Sequence, residues 1–475
     1  MKNMKWIGCL LIGVMLFTSC NKFLDVTPRT ETPQDKLFAT EVGFKDALAG
    51  VYIQMKDNNA YGKALSYDRI ERLVSSWDVA ANTTDQRLGQ FNYSDEGVEN
   101  ALASSYGQLY KVISSVNAIL GEIDKRKDVF KTSGLYEVIK GESLAIRAYC
   151  HLDILRLFGP IPSDPTNGNK LAYVTTLSNK LNSLTSFDEY KNLLLKDLEE
   201  AEKLLHIGDP ILEKNVQGAK DSYLSKRTIR MNYYAVKALS ARTYLWFGNK
   251  EKAYENAKIV IEAKNKDGVA LFKLGTSTDM TTQNYLLTGE HIFGLYDFKL
   301  FSKYSADFAS GNFYKGASST TIQNELYGNT GMDIREAYLW EQITLANQAR
   351  RYVMKKYKVL EKLGNTDIDT KQIPMLRLSE LFLIAAETAP IIEANALWSQ
   401  FYFARNVPVT ALADDPIQRQ MQIMKEYRKE FYAEGQSFYA YKRLNAGNSN
   451  FLFLPAGVTV NYLVPLPKTE TVNLN

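Results

Sequence analysis

The chain has 475 residues, with 57 Lys and Arg against 53 Asp and Glu, a net charge of +4 and three cysteines. Such balanced charge gives no warrant for a nucleic-acid partner, and so few cysteines cannot build a disulfide framework or a cysteine-rich metal site. The length is ample for one large core or for two or three ordinary domains.

The first predicted element is a leader. Lys2 and Lys5 precede an apolar run from Trp6 to Phe17, too short for a bilayer span, which needs about 20 residues. Positive residues, an apolar core and small residues before a cut site mark a secretory signal peptide. Here the small residues are Thr18 and Ser19, and Cys20 comes directly after them. A lipoprotein signal needs cysteine at the first mature position, because its sulfur carries the diacylglyceryl group. The leader therefore predicts a signal peptide over 1–19, lipidation at Cys20 and a tether over 20–40. Each buried lipid CH₂ contributes about 0.8 kcal/mol, so two or more acyl chains hold the protein at a membrane.

Beyond the tether helical periodicity dominates, over one predicted domain from 41 to 475. Residues 135–158 form a long helix that is apolar on two faces, which places it inside a stack, and Gly159-Pro160 stops it. Ser186-Phe187-Asp188-Glu189 has the spacing of a capping box ahead of a stripe through Tyr190, Leu194, Ala201 and Leu205. Met231, Tyr234, Ala235, Ala238, Ala241 and Leu245 share one face. After the Gly248-Asn249 break, Ala253, Ala257, Val260 and Ile261 share another. The small residues let two antiparallel helices approach closely, as in a tetratricopeptide hairpin. Between about 267 and 330 the stripes fade into Gly, Ser, Thr, Asn and aromatics. There "HIFGLYDF" has the look of a strand and "SADFASGNFYKGASSTT" of a long loop, and long loops in compact domains are usually functional or disordered. Helices resume over 376–388 and 424–433. The expected fold class is mainly α: a tetratricopeptide-like stack of helix pairs with an irregular, loop-rich lobe.

Several stretches together resemble the SusD/RagB family of Bacteroidetes outer-membrane lipoproteins. They are "CNKFLDVTP" at Cys20, "GESLAIRAYCHLDILRLFGPIP", "RMNYYAVKALSARTYLWFGNKEKAYENA", and "PMLRLSELFLIAAET" with Arg377, Glu380 and Glu387. "EYRKEFYAEGQSFYAYKRLN" and the closing "YLVPLPKTETVNLN" complete the set. Each is weak alone; their order along nearly the whole chain carries the resemblance. It implies a cell-surface binding lipoprotein, not an enzyme. Such a protein sits in the outer membrane on a SusC-like TonB-dependent transporter and captures an oligosaccharide for import. The same fold binding a peptide, and a periplasm-facing scaffold without a small ligand, are the rival readings.

The composition suits sugar capture, with 29 Tyr, 22 Phe and 5 Trp. An aromatic ring offers a rigid apolar face to the C–H face of a pyranose, while amides and charges meet its polar rim. Family ligand sites draw on the early loop and on the irregular lobe. The candidate ligand residues are accordingly Trp77, Asp78, Asn82, Arg87, Asn92 and Tyr93 in the first, and Tyr304, Phe313 and Tyr314 in the second. Trp340, in a helical setting, is expected to pack, and Arg147, Arg242, Arg377 and Glu387 to make internal ion pairs. His151, His206 and His291 show no zinc spacing, and the Asp57–Asp68 stretch is a poor calcium loop. No cofactor or metal is expected, and no catalytic motif stands out.

Overall fold

The computed structural model describes residues 34–178, 181–212, 223–359 and 369–472. The predicted signal peptide, Cys20 and the tether up to residue 33 lie outside the described residues.

Among the described residues ten helices carry the frame, and polar side chains start most of them. Helix α1 (Glu41–Met55) begins at Thr40, whose hydroxyl accepts from the Gly43 amide. Helix α2 (Glu96–Ile123) begins at Asp95, which accepts from Val98. Helix α3 (Leu135–Phe158) spans the stretch read from sequence and stops at Gly159. Helix α4 (Phe187–Gly208) is capped by the Ser186 hydroxyl, which accepts from the Glu189 amide at 3.2 Å. Asn232 and Asn249 cap the next pair, α5 (Tyr233–Trp246) and α6 (Lys250–Ile261). The last four are α7 (Leu378–Thr388), α8 (Ile391–Ala404), α9 (Pro416–Glu430) and α10 (Ser437–Arg443). Each cap satisfies an amide that the helix leaves unpaired, typically worth about 1 kcal/mol.

Packing runs in chain order: α1 lies on α2, α2 on α3, α3 on α4, then α5 on α6, α6 on α7 and α7 on α8. This is the mainly α, tetratricopeptide-like architecture read from the sequence. Ala238, Ala241, Ala253 and Ala257 are all buried, so α5 and α6 meet across methyl groups, as their spacing required. Helix α3 buries nearly its whole circumference from Ser143 to Phe158, and one buried cluster runs from Phe38 to Val464.

Several buried arginines of this frame are paired with carboxylates. Arg147 holds Asp197 through two hydrogen bonds of 2.7 Å, Arg242 holds Glu380 at 2.6 and 2.8 Å, and Arg443 holds Glu387 at 2.6 and 2.9 Å. Arg377 reaches Glu290, Glu430 and Glu434, all between 2.8 and 2.9 Å. Burial alone would raise the Glu430 carboxyl. Arg405, Arg377 and Arg335 outweigh it and hold the group well below the usual carboxylate range. These are the internal ion pairs expected of Arg147, Arg242, Arg377 and Glu387. His151 is buried, stacked on Tyr173 at 3.9 Å, and burial pushes it down to about 3. Among the described residues no three His, Cys, Asp or Glu gather as a metal site, and no helix is long and apolar enough to cross a membrane.

Two small antiparallel ribbons complete the structure. Strand β1 (His291–Tyr296) pairs with β4 (Gln372–Arg377), and β2 (Trp340–Thr344) with β3 (Arg350–Met354). The first is the strand read from "HIFGLYDF". The second ribbon corrects the helical setting given to Trp340: the short helix Ile334–Tyr338 ends just before it. Trp340 is buried nonetheless, its ring stacked on Tyr352 across the ribbon at 5.5 Å and 9°. The predicted start of a helix at 376 also shifts, because residues 376–377 finish β4. The stretch 305–320 is loop apart from one π-helical turn, Ser305–Ala309.

Candidate functional site

The early loop and the irregular lobe, more than two hundred residues apart in sequence, meet at one surface. Asp78 makes the join. Its amide donates to the Tyr314 carbonyl at 2.9 Å, and its carboxylate accepts from the Gly316 amide at 2.8 Å and faces Lys315 Nζ at 3.0 Å. Segment 314–316 in turn runs beside β3: the Lys315 amide donates to the Tyr352 carbonyl, and the Tyr352 amide to Gly316. Tyr314 is thereby bridged to Val353 at the edge of the ribbon, and the early loop hangs from this segment.

Beneath the join lies an aromatic wedge. Trp77 is 3% exposed, and its indole N–H donates to the Tyr67 carbonyl at 2.7 Å. Phe308, Phe313 and Tyr432 meet it edge-on at 5.8, 5.6 and 5.2 Å. Phe313 is 2% exposed, with Tyr67 edge-on at 5.5 Å and both Lys63 and Arg72 over its ring. Tyr304 is 4% exposed, lies parallel to Phe308 and donates to Glu341 at 2.6 Å. These three candidates spend their rings on holding the loops. Each pair of such rings is worth about 0.5–1.5 kcal/mol beyond area burial, and covered faces offer nothing for a sugar to stack on.

The other candidates stay at the surface. Tyr314 is half-buried, with the Arg351 guanidinium 4.3 Å from its ring centre. Asn82 and Asn92 are exposed. Asn82 has a positive φ of 61°, a conformation asparagine tolerates better than most residues. Arg87 keeps 40% of its side chain exposed while pairing with Asp95 at 3.2 Å. Tyr93 donates to the Asn461 carbonyl at 2.7 Å, tying the loop to the carboxyl-terminal segment. Arg72 links the two halves: it pairs with Asp85 at 3.0 Å and lies over Phe313. Partial burial raises the Asp85 carboxyl, and Arg72 opposes that rise. Sequence reasoning missed Arg72, Lys315 and Arg351, since nothing local announces which cation a fold will bring to a loop.

Behind the wedge, Glu71 joins the early segment to the carboxyl-terminal turn. It is 1% exposed, accepts from the Gly435 amide at 2.8 Å and also holds the Ser76 hydroxyl. Burial pushes its carboxyl up to about 7, against those hydrogen bonds. The Tyr432 hydroxyl donates to the Ser76 carbonyl. Gly435 is needed where it stands: φ is +74°, and a Cβ would lie 2.5 Å from the Leu65 carbonyl oxygen.

The stack of helix pairs thus presents a loop-built surface, stiffened from behind by aromatic rings. Comparison with known proteins finds likeness to SusD-like proteins over part of the sequence and across the fold. Residues 22–245 match the SusD-like family model described as "Starch-binding associating with outer membrane". The fold is shared with a SusD superfamily protein from Bacteroides thetaiotaomicron, at a TM-score of 0.64 and 20% identity, covering 91% of this chain and 98% of that one. A SusD-like carbohydrate binding protein from Bacteroides vulgatus gives a TM-score of 0.63 at 17% identity, covering 86% of this chain and 84% of that one. SusD-like protein P25 of Formosa agariphila is 26% identical over 152 residues, 30% of this chain; the aligned part is 28% of that relative's own length.

Proposed function

We propose that the protein is a carbohydrate-binding component of an outer membrane that captures an oligosaccharide and delivers it to a TonB-dependent transporter, with Cys20 as its lipid anchor. One observation carries the binding role: the two segments singled out for sugar capture are joined, through Asp78, into a single surface. In this reading Tyr314 supplies a ring, and Asn82, Arg87 and Asn92 of the early loop supply exposed or part-exposed polar side chains. The pattern is matched to a pyranose, whose apolar face stacks and whose hydroxyls hydrogen-bond. Trp77, Tyr304 and Phe313 act behind it as the support that keeps loop entropy from opposing capture. The family whose model matches residues 22–245, described as starch-binding and associating with the outer membrane, supports this reading. In this reading the protein acts by binding.

Calorimetry with maltoheptaose and a panel of unrelated oligosaccharides tests the proposal. Saturable binding to at least one glycan, weakened by Tyr314→Ala, is expected. Failure of every glycan to bind folded protein would overturn the reading. Membrane fractionation of a Cys20→Ser variant tests the anchor: release into the soluble fraction is expected, and retention with the wild type would remove the anchor from the proposal.

A further inference from the structure

Most cations at the join of the two segments are already matched by an acid. Arg72 pairs with Asp68 and Asp85, Arg87 with Asp95, and Lys315 with Asp78. Arg351 is different. Among the described residues it has no carboxylate partner: its Nη1 donates to the Gly311 carbonyl, and its Nε and Nη2 make no hydrogen bond. The residue is partly exposed. Both of those nitrogens are open to solvent, since neither is a buried unpaired group.

The guanidinium is nonetheless held in one place. It lies 4.3 Å from the centre of the Tyr314 ring, and the hydrogen bond to Gly311 fixes how it turns. Its stem runs against Gly311, where a Cβ would come within 2.9 Å of Arg351 Cδ. Across the ribbon Arg351 faces Ile343, and the segment on its other side presents Gly316. Neither carries a charge. The chain around it has the same character: residues 308–324 and 342–359 contain no Asp or Glu. A guanidinium stacked on an aromatic ring gives up a face and keeps its in-plane N–H edge. That edge matches the paired oxygens of a carboxylate or a sulfate, whereas a neutral hydroxyl answers it no better than water does.

We propose that Arg351 sets the specificity of the loop surface, and that the ligand is an anionic oligosaccharide whose uronate carboxylate or sulfate ester sits on the Nε–Nη2 edge beside Tyr314. This inference rests on the carbohydrate reading above and adds to it the charge of the ligand.

Calorimetry on the full chain with a galacturonate pentasaccharide, a sulfated galactose oligosaccharide and neutral maltoheptaose provides the test. At least one acidic probe should bind tenfold or more tighter than maltoheptaose, and its affinity should fall as sodium chloride is raised. Which acidic probe binds tells carboxylate from sulfate. Arg351→Gln should weaken that probe about tenfold, as expected for a lost charge-assisted hydrogen bond, and Arg351→Lys should recover part of the loss. Arg350→Gln removes the neighbouring charge, which strand alternation sends to the opposite face, and should change little. Acidic probes no tighter than maltoheptaose, or equal losses at 350 and 351, overturn the inference and leave the carbohydrate reading standing. If no glycan binds folded protein, the carbohydrate reading itself fails and this inference with it. Should Arg351→Gln not fold, the comparison of probes on the wild type decides.

Discussion

Replacing Glu71 by glutamine isolates one buried carboxyl behind the proposed binding surface. The exchange keeps the shape and an oxygen for the Gly435 amide, now 2.8 Å away, and the Ser76 hydroxyl can turn to accept from the new amide. What it removes is ionisation. Burial raises the Glu71 carboxyl to about 7 from its ordinary 4.5. The folded state therefore holds a proton that the unfolded chain has already released. With the folded pKa above the unfolded one, the stabilisation is complete below pH 4.5 and is lost as pH rises through 7. At about 1.4 kcal/mol per unit, the loss amounts to roughly 3 kcal/mol. The glutamine variant has no such loss, and the other titrating groups are common to both proteins. Urea denaturation of the pair from pH 4.5 to pH 8 reads the difference. The wild type should lose ground to the variant by that amount across the window, most steeply between pH 5 and 7. Parallel curves would refute the reasoning, since they would mean that Glu71 is ionised in both states or is reached by water in the folded one.

Trp77→Ala should cost about 3–5 kcal/mol of stability as a large cavity in the wedge, whereas Tyr314→Ala should leave the melting curve nearly unchanged and weaken glycan binding by roughly 1 kcal/mol, about fivefold; calorimetry and thermal melts on both variants check the division of labour. Arg242→Ala strands Glu380 and should cost about 3–5 kcal/mol, while Arg242→Met combined with Glu380→Leu should recover most of it in the same denaturation assay. Gly435→Ala should lower stability by more than about 1 kcal/mol, because the new methyl meets the Leu65 carbonyl in a left-handed conformation. Lys442 is buried, donates to the Leu157 and Gly159 carbonyls at 2.9 and 2.8 Å, and is pushed down by burial to about 7. Its folded pKa lies below its ordinary 10.5, so the wild type should gain stability as pH rises from 7 toward 10.5, by at most about 1.4 kcal/mol per unit; Lys442→Met should flatten that slope in denaturation curves.

The helices were legible because their information is local. The stripe of Leu135–Phe158, the breaker after it and the alanines of the α5–α6 pair each lie within a few turns of one another. The ribbon at Trp340 was not, because its partner strand is Arg350–Met354 and its outward residues Gln342 and Thr344 carry no alternating apolar signal. At the proposed binding surface, the sequence pointed to two segments that the fold joins, but it could not rank their aromatics. Phe313 and Tyr314 are neighbours among Gly, Ser and Lys. Contacts with Tyr67, Trp77, Lys63 and Arg72, far earlier in the chain, help cover the first ring, while the second stays half open.

The ties around Trp77 also set an order of events. Its neighbours Phe308, Phe313 and Tyr432 come late, and the hydrogen bonds from Tyr432 to Ser76 and from Gly435 to Glu71 close loops of 356 and 364 residues. Closures that long come late and slowly. A growing polypeptide can form its early helix pairs, yet the proposed binding surface lacks its support until the segment carrying Tyr432 and Gly435 has arrived. On the proposed reading, a half-finished molecule has no firm surface for a ligand.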